Sequence, residues 1–139
     1  MTDSQVPLRA LPQLTPENIA FWTGGEREQL LIYRCMHCRA WFHPPAPVCP
    51  TCLSRDVHPQ SMPRHATLMS HTVNHQRWLP GMSVPYVIAI GSMDAAPDVH
   101  LMAELVNCPA SQIRSDMPLE VVFLHEADVW IPQFRPLRA

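Results

Sequence analysis

Four cysteines carry the clearest chemistry in this 139-residue sequence. They form two pairs, Cys35 with Cys38 and Cys49 with Cys52, and two residues separate the members of each pair. This gap lets both sulfurs of a pair turn toward one point, so two pairs complete a tetrahedron of thiolates. Soft thiolates favour zinc or iron over hard cations, and four of them leave no position for water. The spacing therefore predicts one structural metal ion, with zinc as the leading choice.

The residues that follow the two pairs, Arg39 and Leu53, are unusual for such a site. This position often needs a positive φ, which glycine adopts without strain. The alternative interpretation is therefore a set of four thiols that no longer holds a metal. The fifth cysteine, Cys108, is next to a proline and has no visible activating group, which predicts a small packed hydrophobe.

The remaining composition favours a mainly β protein. Sixteen prolines and four glycines suit short strands and stiff loops better than long helices. A strand over residues 29–34 leads into the first cysteine pair, and the polar segment 54–63 is expected to be a linker. Five further strands are predicted over residues 66–76, 86–93, 99–107, 119–124 and 129–134. A short helix within residues 108–117 would separate the third and fourth of these strands, as in a partly open, five-stranded OB-fold barrel.

The N-terminal part predicts an arm and a short helix. Residues 1–14 are expected to be extended, and Thr15 followed by proline and glutamate is typical of a helix start. Gly24 and Gly25 are expected to end the helix. The predicted organisation is therefore an arm and helix over residues 1–28, a zinc ribbon over 29–55 and the barrel over 63–136.

The charge balance argues against nucleic acid. All ten basic residues are arginines, and twelve acidic residues bring the net charge to −2. Nucleic-acid binders usually carry a basic excess that neutralises phosphates. Single-stranded nucleic-acid binding is common among zinc ribbons and OB folds. Because the basic excess is missing here, we keep it as an alternative function and not as the leading one. The sequence shows no secretory leader and no membrane-spanning run, which predicts a cytoplasmic protein.

A loop between the first two barrel strands is the candidate substrate channel. It carries His75, Arg77, Trp78 and Tyr86. An arginine can meet a phosphate, and a tryptophan can cover an adenine or a pantetheine arm. The alternative is a proline-stiffened hairpin whose tryptophan covers the mouth of the barrel. We expect no catalytic residue, because no nucleophile and base are placed on converging elements.

Two aromatic pairs near the chain ends are candidate docking residues. Phe21 and Trp22 lie on the predicted helix, and Trp130 and Phe134 lie on the last strand. Aromatic residues are enriched among interface hot spots, and a barrel this small cannot easily bury both pairs. The alternative interpretation is that the last strand is an ordinary core strand of the barrel.

These motifs resemble the family labelled domain of unknown function thirty-five. The resemblance covers about residues 15–136 and is carried by the TPENIAFW helix, the run LLIYRCMHCRAWFHPPAPVCPTC, the segments SHTVNHQ and PYVIAIGSM, and the terminal IPQFRP. Arg39 and Leu53 stand where the family usually has glycines. Residues 62–65 replace a glycine-x-glycine that the family usually carries before the barrel.

The resemblance implies a rubredoxin-like zinc ribbon followed by an OB fold. It also implies an accessory, non-catalytic subunit of an acyl-CoA-processing complex. The expected partner is a thiolase-fold enzyme, either a thiolase or an aldolase of steroid or lipid side-chain degradation. The two would form a hetero-oligomer in which this chain serves as scaffold and as part of the coenzyme A channel.

Overall fold

The computed structural model describes residues 9–137. A short helix, α1 (Ile19–Thr23), continues as a 3-10 turn (Gly24–Arg27). The strands are β1 (Leu30–Cys35), β2 (Trp41–Phe42), β3 (Val57–Met62), β4 (His65–Asn74), β5 (Tyr86–Met93), β6 (Ala96–Leu105), β7 (Pro118–Glu126) and β8 (Val129–Pro136). They form a three-stranded sheet in the order β2-β1-β3 and a closed barrel in the order β4-β5-β6-β8-β7. The prediction of a mainly β chain with a five-stranded barrel is confirmed.

The barrel core follows from alternation along its strands. In β5 every second side chain is buried, as expected for a strand with one face inside. Phe134 of β8 is fully buried in this core. A Cβ atom on Gly91 would lie 2.6 Å from the Phe134 ring, so glycine at this position makes room for the aromatic side chain.

The segment predicted as a linker is a strand, so that prediction was wrong. Strand β3 runs antiparallel to β1 from Leu30 opposite Met62 to Cys35 opposite Val57. It lies at the edge of its sheet and leaves several polar side chains exposed, so its polar sequence did not indicate a strand. Leu30, Met62 and the barrel residues belong to one buried cluster. The division of the chain at residues 28, 55 and 63 stays a prediction.

The turn that leads into α1 begins at the predicted Thr15, although α1 itself begins at Ile19. The Thr15 backbone N–H donates to Asn18 Oδ1 at 2.7 Å, and the Asn18 N–H donates to Thr15 Oγ1 at 3.2 Å. This reciprocal arrangement is a capping box with asparagine in the position usually held by glutamate. The arm predicted over residues 1–14 is described only from residue 9, and its earlier residues lie outside the described part.

The two glycines after α1 end the helix, as predicted, because α1 ends at Thr23 and Gly24 caps it. The chain then continues through them as the 3-10 turn, and the backbone reverses at Glu28 with φ 56°. A Cβ atom on Gly25 would lie 2.5 Å from Cβ of Trp130. A Cβ atom on Gly24 would lie 2.5 Å from the Gln29 carbonyl oxygen. Their missing side chains therefore allow the turn to pack closely on its neighbours.

The insert between β6 and β7 holds a shorter helical segment than expected. Residues 106–117 contain a single 3-10 turn, at Ala110–Gln112. The barrel is closed rather than partly open, but β6 and β8 meet through only two register pairs, Glu104 with Gln133 and Leu105 with Phe134. None of the helices in the described part is long and apolar enough to cross a bilayer.

Candidate metal centre and apolar groove

The structure brings the four predicted ligands together. The Sγ atoms of Cys35, Cys38, Cys49 and Cys52 all lie within 4.8 Å of one another. Those of Cys35 and Cys52 are 3.5 Å apart, and those of Cys38 and Cys49 are 3.6 Å apart. A tetrahedral zinc site with Zn–S bonds of about 2.3 Å has sulfur–sulfur edges of about 3.8 Å. The four sulfurs therefore fit such an ion closely.

Backbone N–H groups point at the sulfurs and stabilise thiolates. His37 N–H donates to Cys35 Sγ at 3.3 Å, and Thr51 N–H donates to Cys49 Sγ at 3.4 Å. The hydrogen bond from the Cys52 backbone N–H, helped by that from Thr51, lowers the pKa of Cys49 to about 6. A hydrogen bond to a charged form favours that form. These hydrogen bonds therefore favour the thiolate form of Cys49, which is the form that binds a cation.

Ionisation of Cys38 is opposed in the absence of a cation. The pKa of Cys38 is raised to about 12, although the Ala40 backbone N–H acts to lower it, because burial and the neighbouring sulfurs oppose a further negative charge. Like charges at one site push the later ionisations upward. A bound dication would relieve this repulsion, so the donor set fits a resident metal.

The residues after the two cysteine pairs adopt the conformation that the spacing implies. Arg39 has φ 67° and Leu53 has φ 66°, both in the left-handed region. This conformation costs about 1–2 kcal/mol for a residue with a Cβ atom. Leu53 is 73% exposed, so its side chain offers little packing in return. The metal-ligand geometry therefore outweighs local backbone strain at both positions.

A groove opens between α1, the ribbon and the barrel. Its volume is about 610 Å³, within the range of small-molecule clefts. It is lined by Arg9, Phe21, Trp22, His43, Pro44, Met82, Ser83, Tyr86, Ile88, residues 100–104, Ile131 and Pro132. Three separate parts of the chain therefore build one concave surface.

Aromatic rings in mutual contact form one wall of the groove. The Phe21 and Trp22 rings meet edge to face with centroids 4.8 Å apart, and the Phe21 and His43 rings are 4.9 Å apart. Burial lowers the pKa of His43, so its imidazole is neutral at neutral pH. His43 was missed by the sequence reasoning. Its only signal was its position directly after Phe42, which the ribbon buries.

A polar cluster closes one end of the groove. Arg9 Nη1 lies 3.3 Å from Glu104 Oε1, and Arg9 Nε lies 3.2 Å from Glu126 Oε2. Gln133 Nε2 donates to Glu104 Oε1 at 3.2 Å. One guanidinium thus faces two carboxylates, which leaves one negative charge without a countercharge in this cluster.

The structure places the four predicted channel residues in two different surroundings. Tyr86 lines the groove, whereas His75, Arg77 and Trp78 are exposed on the loop before it. Trp78 is 67% exposed, and Arg77 Nε donates to the Met82 carbonyl oxygen at 2.8 Å. Of the four residues, Tyr86 alone belongs to the concave surface.

The predicted docking residues are divided as well. Trp22 is half-buried and lines the groove. Trp130 is half-buried, with its ring stacked on His125 at a centroid distance of 4.0 Å. Phe21 and Phe134 are buried in the core of this chain. The docking prediction does not fit Phe134, because it has no exposed surface and is needed to fill the barrel.

The ribbon and barrel together define a zinc-ribbon and OB-fold protein. The sequence model of the ChsH2 rubredoxin-like zinc ribbon domain matches residues 22–58, and that of the ChsH2 C-terminal OB-fold domain matches residues 60–124. The chain is 30% identical to a chain of the Ltp2-ChsH2(DUF35) aldolase structure, with a TM-score of 0.80 over 91% of this chain and 98% of that one. It therefore belongs to the domain of unknown function 35 (DUF35) family.

More distant relatives extend the comparison. The chain is 28% identical over 93% of its length to a probable enoyl-CoA hydratase alpha subunit from Thermomonospora curvata. It is 25% identical over 84% of its length to the 3-oxo-4,17-pregnadiene-20-carboxyl-CoA hydratase alpha subunit of Mycobacterium tuberculosis. It spans only 40% and 37% of these two proteins. A DUF35 protein of unknown function from Sulfolobus solfataricus, 13% identical with a TM-score of 0.60 over 88% of this chain and 86% of that one, shares the fold.

Proposed function

We propose that this chain is an accessory subunit of an acyl-CoA enzyme complex and that its partner is a thiolase-fold enzyme. The observation that carries the proposal is the similarity to a chain of the Ltp2-ChsH2(DUF35) aldolase structure, which this chain covers almost completely. The two curated relatives are named as alpha subunits of CoA-ester hydratases, which supports the same class of substrate.

The metal has a structural role in this proposal. We take the ion to be zinc because residues 22–58 match a zinc ribbon domain. Four thiolates at tetrahedral spacing also leave no coordination position for water or substrate, so its role is structural. Cys35, Cys38, Cys49 and Cys52 would hold it, and it would fix the ribbon beside the barrel. The ribbon then serves as a rigid scaffold for the aromatic wall of the groove.

The reacting groups are expected to come from the partner. The titratable groups that line the groove are Arg9, His43, Tyr86, His100 and Glu104. Glu104 is already engaged with Arg9 and Gln133, and none of the lining residues is a cysteine. This chain therefore contributes surface and orientation. His75, Arg77 and Trp78, on the exposed loop before Tyr86, remain the candidates for contact with coenzyme A.

Assembly with a co-expressed thiolase-fold enzyme tests the proposal. We expect a stable hetero-oligomer by light scattering after size-exclusion chromatography, and higher acyl-CoA turnover than the enzyme shows alone. Trp22→Ala removes an aromatic anchor at the groove and is expected to weaken assembly at least tenfold, in line with hot-spot losses of about 2 kcal/mol. Trp78→Ala is the matched control, since it is expected to spare assembly and raise KM for the acyl-CoA.

Two results would contradict this function. One is the absence of any complex with thiolase-fold enzymes tested at micromolar concentrations. The other is tight binding of single-stranded oligonucleotides with a steep loss of affinity as salt rises, which is the behaviour of a nucleic-acid binder. The net charge of −2 and the absence of lysine make that second result unexpected.

A further inference from the structure

Strand β6 presents its backbone edge to the groove. It runs from Ala96 to Leu105, yet only Glu104 and Leu105 are in register with β8. Residues 100–104 line the groove as a consecutive run. Side chains of a strand alternate between two faces, so a consecutive run can border one cavity only if the edge of the strand faces it.

The hydrogen-bond pattern identifies the backbone groups at this edge. Val106 N–H donates to the Phe134 carbonyl oxygen at 2.8 Å, which directs Val106 toward β8. Alternate residues of a strand direct their N–H and C=O groups to the same neighbour. The backbone N–H and C=O groups of Glu104, Met102 and His100 therefore point toward β8 and the groove. Those of the residues between them point toward β5.

A proline explains why the pairing of β6 with β8 stops. The same alternation along β8 directs Pro132, two residues before Phe134, toward β6. Proline has no N–H to donate, so the pairing ends there. Within residues 9–137, neither β8 nor the ribbon supplies a backbone hydrogen bond to His100 or Met102 on this side.

We propose that this edge receives an extended segment of the partner enzyme subunit as an added strand. The inference rests on the proposed function and specifies how the two subunits join. A small apolar molecule in the groove would cover the N–H and C=O groups of His100 and Met102 without satisfying them, which is unfavourable. An extended peptide supplies alternating donors and acceptors along the whole edge.

The surroundings of the edge define the chemistry of that segment. On one side the segment would meet the apolar wall of Phe21 and Trp22, which favours apolar side chains at alternate positions. At the Glu104 end the cluster of Arg9, Glu104 and Glu126 holds an excess negative charge. The complementary segment therefore carries an arginine or lysine at this end. Met102, which is 66% exposed, is ready to pack against it.

Two substitutions at one position separate backbone from side-chain effects. Met102→Pro removes the N–H that the added strand would use, and proline is tolerated on an open edge where no existing pair is broken. Met102→Ala keeps that N–H and removes the side chain. Titration of each variant with the co-purified thiolase-fold subunit is expected to show binding at least tenfold weaker for Met102→Pro than for Met102→Ala. Melting curves of the free variants check that both remain folded.

Amide hydrogen exchange resolved to single residues gives an independent readout. The amides of His100 and Met102 are expected to exchange rapidly in the free chain and slowly in the complex. Those of Leu101 and Ala103, which face β5, are expected to be protected in both states. This pattern is specific to an added strand, because general burial of the groove would not select alternate residues.

The outcomes distinguish this inference from the proposed function. A complex that forms with unchanged exchange at His100 and Met102, and with normal affinity for Met102→Pro, overturns the added strand and leaves the accessory-subunit function intact. Failure to form any complex overturns both. Protection of these two amides in a homodimer that Met102→Pro makes monomeric would identify a second copy as the occupant and overturn the proposed partner segment.

Discussion

The chain builds its metal centre and its groove in different ways. All ligands of the metal centre come from residues 35–52, and each cysteine pair shapes its own turn. The groove needs residues as distant as Arg9 and Pro132. Changes at the metal centre are therefore expected to act locally and strongly. Changes at the groove are expected to act through the packing of α1 and its following turn against the barrel.

Loss of a metal ligand is expected to have the largest effect. Cys49→Ser removes one thiolate, and binding of zinc at such small sites is worth about 10–16 kcal/mol of folding free energy. We expect loss of zinc by elemental analysis and rapid amide exchange around Phe42 and residues 49–52. The barrel should stay folded, because its buried core is separate from the cysteine cluster. Leu30, at the end of β1 away from the cysteines, should remain packed in that core.

Cys108→Ser is the matched control for the metal. Cys108 is half-buried beside the barrel core and outside the four-sulfur cluster, so its variant should keep one zinc per chain. A folded Cys49→Ser protein with unchanged amide protection in the ribbon would contradict the structural role of the metal.

A methyl group at Gly25 is expected to have the next largest effect, and on the groove rather than the metal. In Gly25→Ala the new Cβ would lie 2.5 Å from Cβ of Trp130 and 2.7 Å from the Phe123 ring, so the turn after α1 must shift. Overpacking of this kind costs about 1–3 kcal/mol. Chemical denaturation should show a lower free energy of unfolding with unchanged zinc content.

Glu26→Ala provides the comparison for the glycine. Glu26 is exposed in the same 3-10 turn, and substitutions at such sites change stability by less than about 0.5 kcal/mol. Equal stability of Gly25→Ala and Glu26→Ala would show that close packing of this turn does not hold the groove together.

Leu53→Gly is expected to stabilise the ribbon. Leu53 has φ 66° and is 73% exposed, so glycine relieves backbone strain and removes little packing. The expected gain is about 1 kcal/mol in thermal or chemical unfolding of the zinc-bound protein. Arg55→Gly, at a nearby exposed position without a positive φ, should bring no gain. Destabilisation by Leu53→Gly would mean that the strain at this turn has been overstated.

His43 gives the smallest predicted effect, and it depends on pH. Burial holds its folded-state pKa below the ordinary value near 6.5, so the unfolded chain binds a proton more readily. The contribution of neutral His43 to stability is therefore complete above about pH 6.5 and decreases as the pH falls below it. His43→Phe keeps a ring against Phe21 and should reduce the loss of Tm between pH 7.5 and pH 5.5.

His71→Phe serves as the matched variant for the pH effect. His71 is exposed on β4, and its substitution should leave the pH dependence as in the parent chain. The metal centre is the same in all three proteins, so acid release of zinc cancels in the comparison. An unchanged pH dependence for His43→Phe would show that His43 does not limit stability in acid.

Local patterns were enough to predict a large part of this protein. The cysteine spacing predicted the ligand set, because a two-residue gap constrains the two sulfurs of a pair whatever surrounds them. Alternation and turn residues predicted the barrel strands to within a few residues. The need for a positive φ at Arg39 and Leu53 also followed from the local turn alone.

The features that were missed all depend on a neighbour distant in sequence. Strand β3 is polar on its own and becomes a strand only because β1 offers its backbone groups. The close packing of Gly25 was missed because Trp130, against which it lies, is far away along the chain. Phe134 resembles a surface anchor until β6 and β8 close the barrel around it.

By itself, therefore, the sequence determined the metal ligands, the β-rich fold class and the resemblance to a family. The tertiary structure alone decided that His43, Tyr86 and Trp22 share one groove and that the edge of β6 faces it. The physical reason is that covalent spacing limits only neighbours in the chain. Which surfaces meet across long separations depends on the free energy of packing the whole core, which no short pattern contains.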